Sequence, residues 1–104
     1  MEMVYVCSPY RGDVKRNKEY ARTIAKSVIE GGCVPIVPHL YITEVLNDDN
    51  PADREKGLNM CLELVARCNI MFVGQRYGIT DGMKQEIAKA KLCNKLIMYI
   101  DREK

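Results

Sequence analysis

Four side-chain types in this chain could act on a ligand. They are a glutamate one turn inside a helix, an arginine in a loop, a lone histidine and a strand tyrosine. The glutamate is Glu86, in the run Gly78-Ile79-Thr80-Asp81-Gly82-Met83-Lys84-Gln85-Glu86, which follows the apolar segment Ile70-Met71-Phe72-Val73. A strand that enters a small-residue turn and then a helix exposes backbone N–H groups at one end of a sheet. A carboxylate beside such an anion-friendly turn suits sugar-phosphate or nucleotide chemistry. A helical glutamate standing alone is more often a solvated surface residue, so the motif admits both readings.

The other candidates sit where strands are expected to end. Ser8-Pro9-Tyr10-Arg11-Gly12 leaves the first apolar run, and its N–H groups and Arg11 could hold a phosphate or carboxylate, because guanidinium matches such oxygens in a bidentate way. It could equally be a plain strand-to-helix turn with a surface arginine. His39 is the only histidine and follows the second apolar run, placed to meet a phosphate or sugar or to serve a structural role. Tyr5 lies mid-strand between Val4 and Val6, and its hydroxyl needs a partner if buried, either Glu86 or a backbone group. Tyr10 and Tyr77 are loop residues that could stack on a base or lie in an interface. Thr80 is an ordinary N-cap choice, and Gly82 lets a ligand approach the backbone. No Walker loop and no G-x-G-x-x-G fingerprint occurs.

These residues need a scaffold. Met3–Ser8, Cys33–Val37, Ile70–Gly74 and Leu96–Ile100 read as strands. Asp13 is a candidate N-cap for a helix whose face carries Tyr20, Ala21, Ile24, Ala25, Val28 and Ile29, closed by Gly31-Gly32. Pro35 puts the second strand at an edge, since proline cannot donate to a ladder. Residues 41–46 suit one or two helical turns, Asn47–Pro51 a loop, and Asp53–Arg67 a helix with Leu58, Leu62 and Val65 inward. Thr80 or Asp81 opens the last helix, and Asp101–Lys104 reads as a solvated tail.

Apolar strands alternating with helices imply a parallel sheet covered on both faces. The expected architecture is a single-domain, three-layer α/β sandwich of the Rossmann-like or flavodoxin-like kind, with a four-stranded, mainly parallel sheet, over residues 1–104. Ligands of such sheets bind beyond the carboxyl ends of the strands. The loops that carry Ser8–Gly12, Pro38–Leu40 and Gly74–Gly78 all fall at that end.

Composition narrows the classes. With 104 residues the chain can bury one core, and 47% apolar with 29% charged residues is an ordinary globular balance. The net charge of +2 lacks the basic patch expected of a nucleic-acid binder. No apolar run is long enough to span a membrane and no signal peptide opens the chain, so a cytoplasmic protein is expected. The five cysteines form no C-x-x-C pair and read as free thiols in a reducing compartment. With one histidine and no ligand spacing, no metal is expected.

In combination, Tyr5-Val6-Cys7-Ser8-Pro9-Tyr10-Arg11-Gly12, Pro38-His39 and Thr80-x-Gly82-x-x-x-Glu86-Ile87-x-x-Ala90 resemble the nucleoside 2-deoxyribosyltransferase-like superfamily, which includes nucleotide N-glycosidases. The resemblance covers nearly the whole chain and is nearest to a small bacterial and phage branch of domains of unknown function. It implies an N-glycosidase or deoxyribosyltransferase acting on a nucleoside or its monophosphate. Glu86 would be the nucleophile at C1′ of the sugar and Tyr5 the residue that orients it. Ser8, Pro9, Tyr10, Arg11, Gly12, His39, Thr80, Gly82 and Met83 would bind substrate. It implies no cofactor, a nucleoside or nucleotide as partner rather than a nucleic-acid polymer or a membrane, and a homodimer or higher homo-oligomer.

The chain departs from the family pattern at one point. Active members usually carry an aspartate before the third strand that handles the proton of the leaving base. By motif spacing that position falls near Cys61, and Asn69 stands where many relatives have aspartate. Asp53, Glu55 and Glu63 are close in sequence. Loss of acid catalysis typically costs ~10²–10⁴-fold. The alternative expectation is therefore a nucleotide-binding module of the same fold that has lost catalysis, and beyond it a structural or interaction protein.

Overall fold

The computed structural model describes residues 1–101. Strand β1 (Met3–Cys7) leads into helix α1 (Val14–Glu30) and strand β2 (Val34–Ile36). A single 3-10 turn, Pro38–Leu40, follows, then the short helix α2 (Ile42–Val45) and the long helix α3 (Pro51–Arg67). Strand β3 (Ile70–Gly74), helix α4 (Asp81–Leu92) and strand β4 (Leu96–Ile100) complete the described residues. The sheet order is β2-β1-β3-β4 and every pairing is parallel. This is the expected α/β sandwich, with the expectation of a mainly parallel sheet sharpened to a wholly parallel one among the described strands. No helix among the described residues is long and apolar enough to cross a membrane.

Alternation along β1 divides the core. Val4 and Val6 face α1 and pack with Tyr20, Ala21, Ile24 and Val28. Tyr5 and Cys7 face the opposite layer and pack with Cys61, Val65, Met83, Ile87 and Ala90 of α3 and α4. The two-residue period of a strand thus sends Tyr5 to the side of the sheet that carries Glu86.

The helices start where their caps dictate. Asp13 accepts the N–H of Arg16 at the head of α1, 3.1 Å away. Asn50 accepts from Ala52 and Asp53 and Pro51 takes the first helical position, so α3 begins two residues before the expected Asp53. Pro35 lies in β2 at the sheet edge, as its missing donor requires.

Three expectations need correction. Ile29 is 60% exposed, because it lies ~100° around the helix from Val28 and off the stripe that Asn17, Tyr20, Ile24 and Val28 define. In α3 the buried residues are Cys61 and Val65, one turn apart, while Leu62 is a step off that stripe and only half-buried. Leu58 is also half-buried, since that part of α3 walls a cleft instead of the core. Asp101 is no free tail residue: it accepts the Tyr20 hydroxyl at 2.9 Å and pairs with Arg76 at 3.5 Å. The rest of the expected tail, residues 102–104, lies outside the described residues.

Candidate active site

A cleft of about 550 Å³ opens at the carboxyl ends of the strands, between the β1–α1 loop, the segment from His39 to α3, and the first turns of α4. Of the residues expected at the site, Ser8, Tyr10, Arg11, His39, Thr80, Gly82, Met83 and Glu86 line it. Tyr5 lies beneath the floor, fully buried. Pro9 is buried and does not face the cleft, and Gly12 lines a smaller concavity next to it. Gly12 has φ +95°, a backbone turn that suits glycine and lets the chain double back into α1. Among the described residues no three His, Cys, Asp or Glu side chains gather as metal ligands.

Glu86 is 3% exposed, yet it reaches the cleft. Helix geometry places it there. Thr80 caps α4 by accepting the N–H of Met83 at 3.2 Å, and the Met83 sulfur accepts the N–H of Thr80 at 3.5 Å. The same register turns Met83, Glu86, Ile87 and Ala90 inward. Gly82 lines the wall beside them, and a Cβ there would meet nothing nearer than Thr80 Oγ1 at 4.0 Å. Packing therefore does not demand a glycine, and its effect is to leave helix backbone bare on the cleft side.

Glu86 Oε1 has no hydrogen-bond partner, and neither do Tyr5 Oη and Ser8 Oγ. Burial pushes the Glu86 carboxyl up to about 7, with the nearby Cys7 thiol and Tyr5 hydroxyl offsetting part of the rise. Tyr5 is close enough to feel the carboxylate but is not bonded to it. Its own ionisation is pushed well up, first by burial and then by Glu86. Cys61 lines the cleft near Glu86, and burial and that carboxylate push its thiol up to about 11. The wall around Glu86 thus holds neutral groups that carry protons.

The β1–α1 loop is fixed by Asn17, a fully buried residue of α1 for which the sequence offered no signal. Its amide donates to the carbonyls of Tyr10 and Arg11, both at 3.0 Å, and its oxygen accepts from Arg16. The Tyr10 ring stacks on His39, centroids 5.5 Å apart, and joins the loop to the segment after β2. Burial holds the His39 imidazole below its ordinary range, opposed by Asp48, so the ring is neutral at neutral pH.

Arg11 is not a free cation. Its Nε lies 3.2 Å from Asp48 Oδ2, and Nη2 is 4.0 Å from Asp49 Oδ1. The candidate proton donors also sort themselves. Asn69 is at the far end of β3, where its Oδ1 accepts the N–H of Met3. Asp53 accepts the N–H of Asn47 and holds the loop, and Glu63 pairs with Arg67. Only Glu55 of that group lines the cleft, and the helical spacing of Pro51, Glu55, Leu58 and Cys61 along one face accounts for it. Tyr77 lies elsewhere, edge-on to Tyr20 and beneath the Arg16 guanidinium, and does not line the cleft.

The fold is shared with two 2-deoxyribosyltransferases. The enzyme of the psychrotolerant bacterium Bacillus psychrosaccharolyticus superposes with a TM-score of 0.72 at 17% identity, covering 93% of this chain and 70% of that one. The enzyme of Leishmania mexicana superposes with a TM-score of 0.69 at 13% identity, covering 95% of this chain and 63% of that one. The chain thus spans less than two thirds of the Leishmania enzyme. No curated protein matches it by sequence. Residues 2–100 match the model of a domain of unknown function, DUF7768, and the chain belongs to that family.

Proposed function

We propose that the cleft cleaves the base–sugar bond of a nucleoside or nucleoside monophosphate, as an N-glycosidase or 2-deoxyribosyltransferase, with Glu86 as nucleophile. The observation that carries this reading is the Glu86 carboxylate itself: buried, with Oε1 unpartnered, and lining a cleft large enough for a nucleoside. A desolvated carboxylate oxygen with no hydrogen bond is a stronger nucleophile than a solvated one. Its oxygen would bond to C1′ as the C1′–N bond breaks. The electron pair leaves with the base nitrogen, which takes up a proton from water. Water then attacks C1′ of the ester and gives its proton to the hydroxide left by the first step, returning the carboxylate; in a transferase, the nitrogen of a second base takes the place of that water and gives up its own proton in the same way. Tyr5, beneath the carboxyl, would orient it once substrate closes the cleft, and Ser8 Oγ offers an unused hydrogen bond to a sugar hydroxyl.

The test is incubation with a panel of nucleosides, 2′-deoxynucleosides and their 5′-monophosphates, following free base. Release that Glu86→Ala abolishes supports the reading; no release, or equal release by the variant, removes it. A second reading is favoured by one observation. Cys61 occupies the wall where a proton-donating aspartate is expected, and its thiol is held protonated well above neutral pH. The chain would then be a nucleoside- or nucleotide-binding module without turnover, seen in calorimetry as binding with no base release.

A further inference from the structure

The charges around the cleft are unequal. Arg11 and Arg54 line it, against Asp48, Glu55, Asp81 and Glu86. Arg11, the cation of the β1–α1 loop, is held by Asp48 at 3.2 Å with Asp49 behind it at 4.0 Å. Asp13 caps the helix that follows the loop and adds a further carboxylate on that side. At α4 the Met83 N–H is taken by Thr80, and Asp81 stands in the first turn. A phosphate dianion would have to displace an aspartate from Arg11 and remain beside it. A sugar hydroxyl meets no such conflict, since Ser8 Oγ is buried without a partner and the Asp48 carboxylate can accept.

We propose that Asp48 sets the substrate class of the cleft: by occupying Arg11 it makes the cleft select an uncharged nucleoside over the corresponding 5′-phosphate. This rests on the base–sugar cleavage reading and narrows it. Asp48 is a specificity-determining residue, distant in sequence from Arg11 and joined to it only by the fold. Removing its charge leaves the Arg11 guanidinium available for bidentate contact with phosphate oxygens. The neutral ligand is affected far less, because it does not compete for the cation.

The experiment compares a 2′-deoxynucleoside with its 5′-monophosphate by calorimetry, on the wild-type protein, Asp48→Asn, Asp48→Ser and Asp48→Asn/Arg11→Gln. Base release is followed in the same samples. The wild type is expected to bind the nucleoside more tightly. Both Asp48 variants should shift the affinity ratio toward the monophosphate by about tenfold, and Arg11→Gln should cancel that shift. Equal or tighter wild-type binding of the monophosphate, or a ratio unmoved in both Asp48 variants, overturns the role of Asp48. If base release persists in that case, the cleavage reading stands alone. Binding of neither ligand by the wild type overturns both.

Discussion

The hydroxyl of Tyr5 and the carboxylate of Glu86 lie close together in the same layer of the core, and neither Tyr5 Oη nor Glu86 Oε1 has a hydrogen-bond partner. Each such group left without water or a partner costs roughly 1–3 kcal/mol. Two side by side under an open cleft form a region that costs the fold stability. Strain of this kind collects at functional sites and has measurable consequences.

The first concerns stability and pH. The Glu86 carboxyl is raised from 4.5 to about 7, so in that window the folded state binds more protons than the unfolded chain. Stability therefore falls as pH rises from 4.5 to 7, by on the order of 3 kcal/mol, and stays low above it. Glu86→Gln removes this titration. Urea denaturation across that range should show the variant gaining on the wild type as pH rises. Parallel curves would mean that Glu86 does not carry the shift.

The rate of base release should depend on the same group in the opposite sense. The nucleophile must be ionised, so below about pH 7 the kcat/KM of the free protein should fall up to tenfold per pH unit. A flat acidic limb down to pH 5 would show that the attacking group does not titrate near pH 7.

Asn17 should matter beyond its own helix. Its amide holds two loop carbonyls, and Asn17→Ala leaves both without that donor in a part-buried setting. A loss of about 1–3 kcal/mol is expected in chemical denaturation. Faster amide exchange of residues 10–12 at unchanged exchange in β3 would locate the effect in the loop.

Gly74 ends β3 against α1. A Cβ there would stand 2.7 Å from Ile24 Cδ1 and 2.7 Å from Tyr20 Oη. Tyr20 cannot swing away freely, because its hydroxyl donates to Asp101 and accepts the N–H of Arg76. Gly74→Ala is expected to lower stability by about 1–3 kcal/mol in the same assay, through overpacking. Tyr20→Phe, which frees the ring from its hydrogen bonds, should recover part of that loss in the double variant.

Much of the frame was legible in the sequence because it depends on neighbours along the chain. Proline and glycine punctuation, the Asp13 and Thr80 caps and the uncharged strand runs are local, and β3 and β4 fall on their expected bounds. Inward faces were less legible. Ile29 and Leu62 are apolar residues a single step off a stripe, and hydrophobicity alone does not separate them from Val28 and Cys61. At the site, the approach of Arg11 to the strand ends followed from the loop it occupies. Its partner Asp48 did not, since 37 positions separate them and only the docking of α2 and α3 brings them together. Asn17 was hidden for a related reason: a polar residue on a buried helix face is recognised only when the carbonyls it serves are in view.

The first turn of α4 has a mechanical consequence. The Cys7 thiol donates to the Met83 carbonyl, and both residues are buried in one core layer with Tyr5. That bond joins strand β1 directly to the helix that carries Glu86. The opposite side of the cleft combines the first half of α3 with short pieces, a 3-10 turn, α2 and the Asn47–Asn50 loop, clipped together by exposed contacts such as Asp53 to Asn47. Glu86 is thereby tied to the core sheet, whereas the facing wall includes pieces held by exposed contacts, and ligands of differing width are expected to be met on that side.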